Sequence, residues 1–129
     1  MIDHVSLGVA DLARAGRFYD AVLAPLGYVR VLTHARALGY GPPGARDEAF
    51  AVLAAPGGGP LAAAGTHVAF RAPRRDAVDT FHAIALASGG VDEGGPGLRP
   101  AYGPGYYAAF VLDPDGHRIE AVLHELAGP

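Results

Sequence analysis

The segment His4-Val5-Ser6-Leu7-Gly8-Val9 alternates polar or small side chains with aliphatic ones, and a related segment, His67-Val68-Ala69-Phe70, follows at an offset of 63 residues. Alternation with a period of two is typical of a strand that buries one face. Three further identities recur at the same offset: Phe18 with Phe81, Leu23 with Leu86, and Gly27 with Gly90. Matching residues in matching positions predict an internal duplication.

An amphipathic helix is predicted after each of these strands. Asp11 is placed to cap the first helix and Gly27 to end it, whereas Pro73 is placed to start the second and Gly89-Gly90 to end it. Apolar residues recur at helical spacing in both, namely Leu12, Ala15, Phe18, Val22 and Leu23, and then Val78, Phe81, Ile84 and Ala85. Each helix is therefore expected to cover one face of its strands.

Three short strands are predicted after each helix, at 28–33, 36–40 and 48–55 and at 91–93, 105–112 and 117–124. The segment Gly94-Gly95-Pro96-Gly97 is predicted to be a loop. The unit βαβββ thus occurs twice, as module 1 (about 1–56) and module 2 (about 64–125) of a single domain spanning 1–129. We predict an α+β fold in which the two modules form a curved mixed sheet with the helices on its convex side.

Composition excludes several classes of function. The chain has 129 residues and a formal net charge of −3, and all ten of its basic residues are arginine, so it lacks the basic excess of a nucleic-acid-binding protein. It has no cysteine, so any metal must be held by histidine and carboxylate. No apolar run approaches the ~18 residues of a membrane span, and no targeting signal is visible, which predicts a cytoplasmic protein without a membrane partner. The excess of Ala, Gly, Pro and Arg is associated with GC-rich bacterial genomes.

The same alternation places His4, His67 and Glu120 on the strand faces that the helices do not cover. If these faces curl into a cup, two imidazoles and one carboxylate converge there. That donor set holds Fe(II), Mn(II) or Zn(II) and leaves positions open for a substrate. The alternative is that each of the three is a half-exposed strand residue that faces water.

The segment Asp113-Pro114-Asp115-Gly116-His117-Arg118-Ile119-Glu120, together with a duplicated βαβββ unit that opens on histidine, resembles the vicinal oxygen chelate superfamily over essentially the whole chain. That superfamily includes glyoxalase I, extradiol dioxygenases, fosfomycin resistance transferases and bleomycin resistance proteins. The resemblance implies an incompletely closed barrel of eight strands and one divalent ion (zinc, manganese, iron or nickel) held by His4, His67 and Glu120. It also implies a homodimer in which His4 can come from a different subunit than His67 and Glu120.

Departures from the family patterns leave the activity open. Glyoxalase I has a fourth metal ligand at or next to the position of Val52, which cannot ligate. Extradiol dioxygenases and fosfomycin transferases carry a tyrosine where this chain has Phe110. The fosfomycin transferases share Ser6 and the Thr66-His67 pair, but they need cationic groups around the phosphonate, for which Arg99 is the candidate.

Further residues are candidates for roles in the cup. Ser6, Tyr106 and Arg118 are candidates for catalysis, and Phe110, Val52, Arg71 and Arg99 for substrate binding. The alternatives are that Tyr106 is a packing aromatic, and that Arg71 and Arg118 pair with Glu120 or face solvent. Four histidines are left out of the site. His117 is predicted to lie at the surface, His34 and His82 have no evident partners, and His124 lies too far along its strand from Glu120.

Three functions follow from this pattern. The first is a metalloenzyme in which the ion acts as a Lewis acid on a small molecule that chelates it through two neighbouring oxygens, as a lyase, isomerase or thiol transferase. The second is a metal-free protein that binds a drug or metabolite, as bleomycin resistance proteins do. The third is a homodimeric structural partner whose cup has lost its role.

Overall fold

The computed structural model describes residues 1–55 and 57–125, and it contains the unit βαβββ twice. Module 1 comprises β1 (Val5–Val9), α1 (Leu12–Leu23), β2 (Val29–His34), β3 (Ala37–Gly41) and β4 (Phe50–Ala54). Module 2 comprises β5 (His67–Arg71), α2 (Arg75–Ala87), β6 (Val91–Leu98), β7 (Tyr106–Leu112) and β8 (Arg118–His124). The α+β class and the duplication are confirmed.

Each module forms its own four-stranded mixed sheet, with the order β1-β4-β3-β2 in module 1 and β5-β8-β7-β6 in module 2. In both sheets the first strand runs parallel to the fourth, and the remaining pairs are antiparallel. The registers are equivalent, because Val5 pairs with Phe50 as Val68 pairs with Ile119. The eight strands therefore make two curved halves that do not close into a barrel.

The helix ends agree in part with the sequence. The carboxylate of Asp11 accepts a hydrogen bond from the Arg14 amide (3.0 Å), which confirms the predicted cap of α1. A short 3-10 turn follows α1 and ends at Gly27, whose φ of +91° favours glycine. The helix α2 begins at Arg75, two residues beyond the predicted Pro73.

The offset of 63 holds for the first strands, β1 and β5, but changes at the end of the second helix. Gly89, with a φ of +97°, is the counterpart of Gly27, rather than Gly90 as predicted. Leu86 is 41% exposed although Leu23 is buried. At Gly90 the lack of a side chain is what matters, because a Cβ there would lie 2.7 Å from the carbonyl oxygen of Ala85.

The prediction that Gly94–Gly97 forms a loop is wrong, because this segment lies inside β6. The register with β7 shifts twice along it, so β6 is a bulged strand. Glycine permits the bulge, as the φ of +145° at Gly94 shows, and the backbone still pairs with β7 opposite Phe110 and Ala108. Composition alone indicated a turn, whereas pairing with the neighbouring strand kept the segment extended.

The main hydrophobic core lies between the sheets and the two helices, which pack against each other. A smaller cluster of Ala108, Phe110 and Val122 lies on the other side of the module 2 sheet. The rings of Phe50 and Phe70, one from each module, meet edge to face at 4.9 Å between centroids. Within the described part of the chain, no helix is long and apolar enough to span a membrane.

The turn between β7 and β8 is held by the buried carboxylate of Asp113. Its Oδ1 accepts the backbone amides of Asp115 and His117 (both 2.9 Å), and its Oδ2 accepts the Tyr19 hydroxyl from α1 at 2.5 Å. Burial, and the Asp113 carboxylate beside it, raise the pKa of Tyr19 well above its ordinary value, so the phenol remains a donor. This turn therefore joins module 2 to module 1.

Two further hydrogen bonds cross the junction in equivalent places. The Nε2 of His117 lies 2.6 Å from the Gly8 carbonyl oxygen, and the Tyr28 hydroxyl donates to the Arg71 carbonyl at 2.9 Å. Gly8 and Arg71 are related by the offset of 63. His117 is only 6% exposed, so its prediction as a surface residue is wrong: the contact with β1 of the other module buries it.

Replacing Tyr19 with Phe should lower the free energy of unfolding by about 1–3 kcal/mol, because it leaves one oxygen of a buried carboxylate without a donor. The matched control is Tyr28→Phe, which removes an exposed cross-module hydrogen bond and should cost less than about 1 kcal/mol. Urea unfolding followed by circular dichroism measures both. Equal losses in the two variants would contradict the role assigned to the Asp113 turn.

Candidate functional site

The side of the module 2 sheet away from α2 carries a polar cavity of about 280 Å³, called here the module 2 cavity. It is lined by His67, Tyr102, Tyr106, Phe110, Arg118 and Glu120. Strand alternation explains this set, since Arg118 and Glu120 share one face of β8 while Ile119 and Ala121 enter the core. On β7, Tyr106 and Phe110 share that face and pair opposite β8.

Glu120 is the buried polar group of this cavity, with 1% of its surface exposed. Its Oε1 lies 3.1 Å from His67 Nε2, and its Oε2 accepts the Tyr106 hydroxyl at 2.6 Å. A carboxylate buried this deeply requires partners for both oxygens, and here one imidazole and one phenol supply them. Two of the three predicted metal ligands, His67 and Glu120, are thus brought together.

Tyr106 contacts Glu120 directly, so it is more than a packing aromatic. Burial raises its pKa, and the hydrogen bond to the Glu120 carboxylate and the charge of that carboxylate raise it further. Its ring packs edge to face against Tyr102 and His124, with centroids 5.4 and 5.0 Å away. His124, left out of the site on sequence, therefore supports the ring of Tyr106 at the end of β8.

Two arginines approach the ring of Phe110. The Cζ of Arg118 lies 4.7 Å from the ring centroid and that of Arg99 lies 5.5 Å from it. Arg99 also donates from Nη2 to the Gly95 carbonyl. Arg118 is exposed, as one of the alternatives predicted, and it does not pair with Glu120, both of whose oxygens have other partners.

His4 and Ser6 lie on module 1, exposed and outside the module 2 cavity. The Nδ1 of His4 lies 2.6 Å from Asp3 Oδ1, and this hydrogen bond raises the pKa of His4. In residues 1–55 and 57–125, no three His, Asp or Glu side chains gather closely enough to hold a metal ion. One chain therefore does not bring His4 to His67 and Glu120.

The sheet registers identify the counterpart of Glu120 in module 1. Ser6 pairs with Ala51 in the way that Ala69 pairs with Glu120, so Ala51 stands at the equivalent position. The side chains of Ala51 and of its neighbour Val52 have no atom that could bind a metal ion. Val52, a candidate for substrate binding, is fully buried in the hydrophobic core instead.

Arg71 is exposed, and it borders a second cavity, of about 310 Å³, between the two modules. The lining is mostly apolar and comes from both modules, with Val5 and Phe50 from one and Val68 and Phe70 from the other. No local pattern indicates such a cavity, because its walls come together only when the modules pack.

His82, which was excluded from the site, has a side-chain partner. The Nε2 of His82 on α2 lies 2.9 Å from Asp92 Oδ1 on β6, and the Asp92 pKa is lowered by this contact first. The pair joins a helix to a strand edge and lies outside the module 2 cavity. His82 is therefore still outside the site. The prediction that it has no partner is wrong.

Comparisons with known proteins give the same fold. A family model for the Glyoxalase/Bleomycin resistance protein/Dioxygenase superfamily matches residues 1–121. A glyoxalase/bleomycin resistance protein from Albidiferax ferrireducens T118 is 33% identical, with 93% of this chain and 95% of that chain covered and a TM-score of 0.79. No curated protein matches.

Two solved structures of bleomycin-related proteins share the fold at lower identity. The bleomycin resistance determinant encoded on transposon Tn5 is 22% identical, with 94% and 95% of the two chains covered and a TM-score of 0.62. A bleomycin-binding protein in complex with bleomycin is 23% identical, with 93% and 95% covered and a TM-score of 0.58.

The fold and the site together define a two-module βαβββ protein with a polar cavity on one concave sheet face. The chain belongs to the Glyoxalase/Bleomycin resistance protein/Dioxygenase superfamily. The resemblance inferred from the duplicated unit and from the segment 113–120 is confirmed.

Replacing Glu120 with Gln should lower the pKa of Tyr106, because it removes the negative charge next to the phenol and leaves its burial in place. Nuclear magnetic resonance of tyrosine labelled at Cζ, titrated with alkali, follows each phenol separately. The buried Tyr19 serves as internal control and should titrate as in the parent protein. An unchanged Tyr106 would contradict the contact between its hydroxyl and Glu120.

Proposed function

We propose that the protein is a small metalloenzyme whose metal ligands are His67 and Glu120 of one chain and His4 of a second copy. The observation that carries this proposal is the buried Glu120 carboxylate facing His67 Nε2 across 3.1 Å in an open polar cavity. Two atoms bound to one ion at about 2.1 Å, at a right angle, are separated by about 3 Å. The two residues therefore fit one divalent ion.

A second copy is needed because the ligand set within one chain is incomplete. His4 stands on module 1, just before the strand equivalent to the one that begins at His67, and its ring hydrogen bonds to the exposed Asp3. A two-fold arrangement that sets module 1 of one chain against module 2 of another would bring His4 to the cavity. The proposed active form is thus a homodimer with two equivalent sites.

When bound, the ion would supply Lewis-acid chemistry to a substrate that chelates it through two neighbouring oxygens. The chain itself contributes the surroundings. Tyr106 hydrogen bonds to Glu120 and so fixes the orientation of that carboxylate, as outer partners of metal ligands do. Phe110 provides an apolar wall, and Arg118 provides a positive charge at the edge of the cavity. A lyase, isomerase or thiol-transferase reaction is compatible with this arrangement.

A second candidate is a protein that binds a small molecule without metal. It is favoured by the same contacts, because His67 and Tyr106 satisfy both oxygens of Glu120 in the absence of an ion. The fold shared with the bleomycin-binding protein is compatible with this alternative. Metal analysis separates the two candidates.

Protein purified without chelator should contain about one transition metal ion per chain, and Glu120→Gln and His67→Ala should contain none, because each removes a ligand. Elemental analysis measures this, with circular dichroism to establish that the variants are folded. The matched control is His34→Ala, which removes an exposed histidine on β2 and should keep the metal. Folded parent protein without metal, even after Zn, Mn, Fe and Ni are added back, would favour the metal-free candidate.

Mixing the two variants His4→Ala and His67→Ala tests where the third ligand comes from. Each homodimer lacks a ligand in both sites, but a mixed dimer has one intact site if the ligands come from two chains. After unfolding and refolding together, about half of the dimers are mixed, so about one quarter of the parent metal content should return. Recovery of no metal would contradict a site shared between subunits.

A further inference from the structure

Arg118 is an exposed positive charge at the edge of the module 2 cavity. In residues 1–55 and 57–125 its guanidinium makes no ion pair and no hydrogen bond. The carboxylate nearest to it along β8 is Glu120, which is occupied by His67 and Tyr106. The five N–H donors of Arg118 are therefore unused by any acceptor in residues 1–55 and 57–125.

The position of Arg118 prepares it to bind a ligand. Its guanidinium lies over the Phe110 ring, with Cζ 4.7 Å from the centroid, and Phe110 is itself buried and fixed between β6 and β8. Stacking on an aromatic face restrains the long side chain and leaves the edge of the guanidinium plane open. A preordered guanidinium loses less conformational entropy when it binds.

A second arginine adds to the positive potential at this place. Arg99 lies 5.5 Å from the same ring and already donates to the Gly95 carbonyl. Its Nε is buried and, among the described residues, has no acceptor. Arg99 is not among the residues that line the module 2 cavity, so its charge would act on an anion there from behind the lining.

We propose that the module 2 cavity takes a substrate that carries an oxyanion, a carboxylate or a phosphonate, and that Arg118 binds this group through paired N–H···O hydrogen bonds. A guanidinium matches the two oxygens of such a group in one plane. The substrate's remaining oxygens would then face His67 and Glu120, which is the part of the inference that rests on the proposed function. The volume of about 280 Å³ suits a small organic anion.

The test uses three probes and the full chain as purified. Glycolate and methylphosphonate carry the two kinds of oxyanion, and ethylene glycol has two neighbouring oxygens but no charge. Calorimetric titration measures their affinity for the parent, Arg118→Gln and Arg118→Lys. The matched control is Arg17→Gln, because Arg17 is exposed on α1, away from the cavity.

At least one anion is expected to bind at one site per chain, and Arg118→Gln is expected to weaken it about 10- to 100-fold, as the loss of a charged hydrogen-bonding partner does. Arg118→Lys should give an intermediate affinity because the ammonium keeps the charge but not the planar pair of donors. Arg17→Gln should bind like the parent, and ethylene glycol should be unaffected by Arg118→Gln. The anion that binds more tightly identifies the carboxylate or the phosphonate.

Failure of this inference differs from failure of the proposed function. If neither anion binds the parent, or if Arg118→Gln binds both as the parent does, the oxyanion site is overturned, whatever the metal content. If anion binding depends on Arg118 but the parent retains no metal, the oxyanion site stands and the metalloenzyme does not. Metal content of Arg118→Gln equal to that of the parent further supports a role toward substrate rather than toward the metal.

Discussion

The rest of the architecture depends on the hydrogen bonds that the buried carboxylate of Asp113 accepts. One of its oxygens holds the turn that leads into β8, and the other accepts the hydroxyl of Tyr19 from the helix of the other module. Asp115 adds a second connection, since its Oδ1 accepts the Ala10 amide and the Arg14 guanidinium. Where β8 begins determines which of its residues face the cavity, so these hydrogen bonds position Glu120 as well as joining the modules.

The junction also explains why the predicted ligand set is divided. Hydrogen bonds from His117 to the Gly8 carbonyl and from Tyr28 to the Arg71 carbonyl join the first strand of each module to the other module. The main core then lies on the helix side of both sheets, and the other side of the module 2 sheet carries the module 2 cavity and a small apolar cluster beside it. In the proposed dimer, module 1 of one copy would be set against the module 2 cavity of the other.

The two halves have diverged in chemistry while they kept the same backbone. Module 2 has Glu120 where module 1 has Ala51, and the equivalent registers on the two first strands show that the positions correspond. Module 2 also holds the phenol and the guanidinium that border the carboxylate. The polar side chains that line the module 2 cavity thus come from module 2, whereas module 1 has a histidine just before its first strand.

By itself, the sequence determined the two βαβββ units and the face of each strand on which Glu120, Tyr106, Phe110 and Arg118 lie. It could do so because strand alternation and helix periodicity are local properties of the backbone. Only the tertiary structure decided that His117 is buried, that Val52 belongs to the core and that His4 stands apart from His67. Those outcomes depend on contacts such as His117 with Gly8, between residues 109 positions apart in the chain. No local pattern encodes such contacts, because they exist only after the modules have packed.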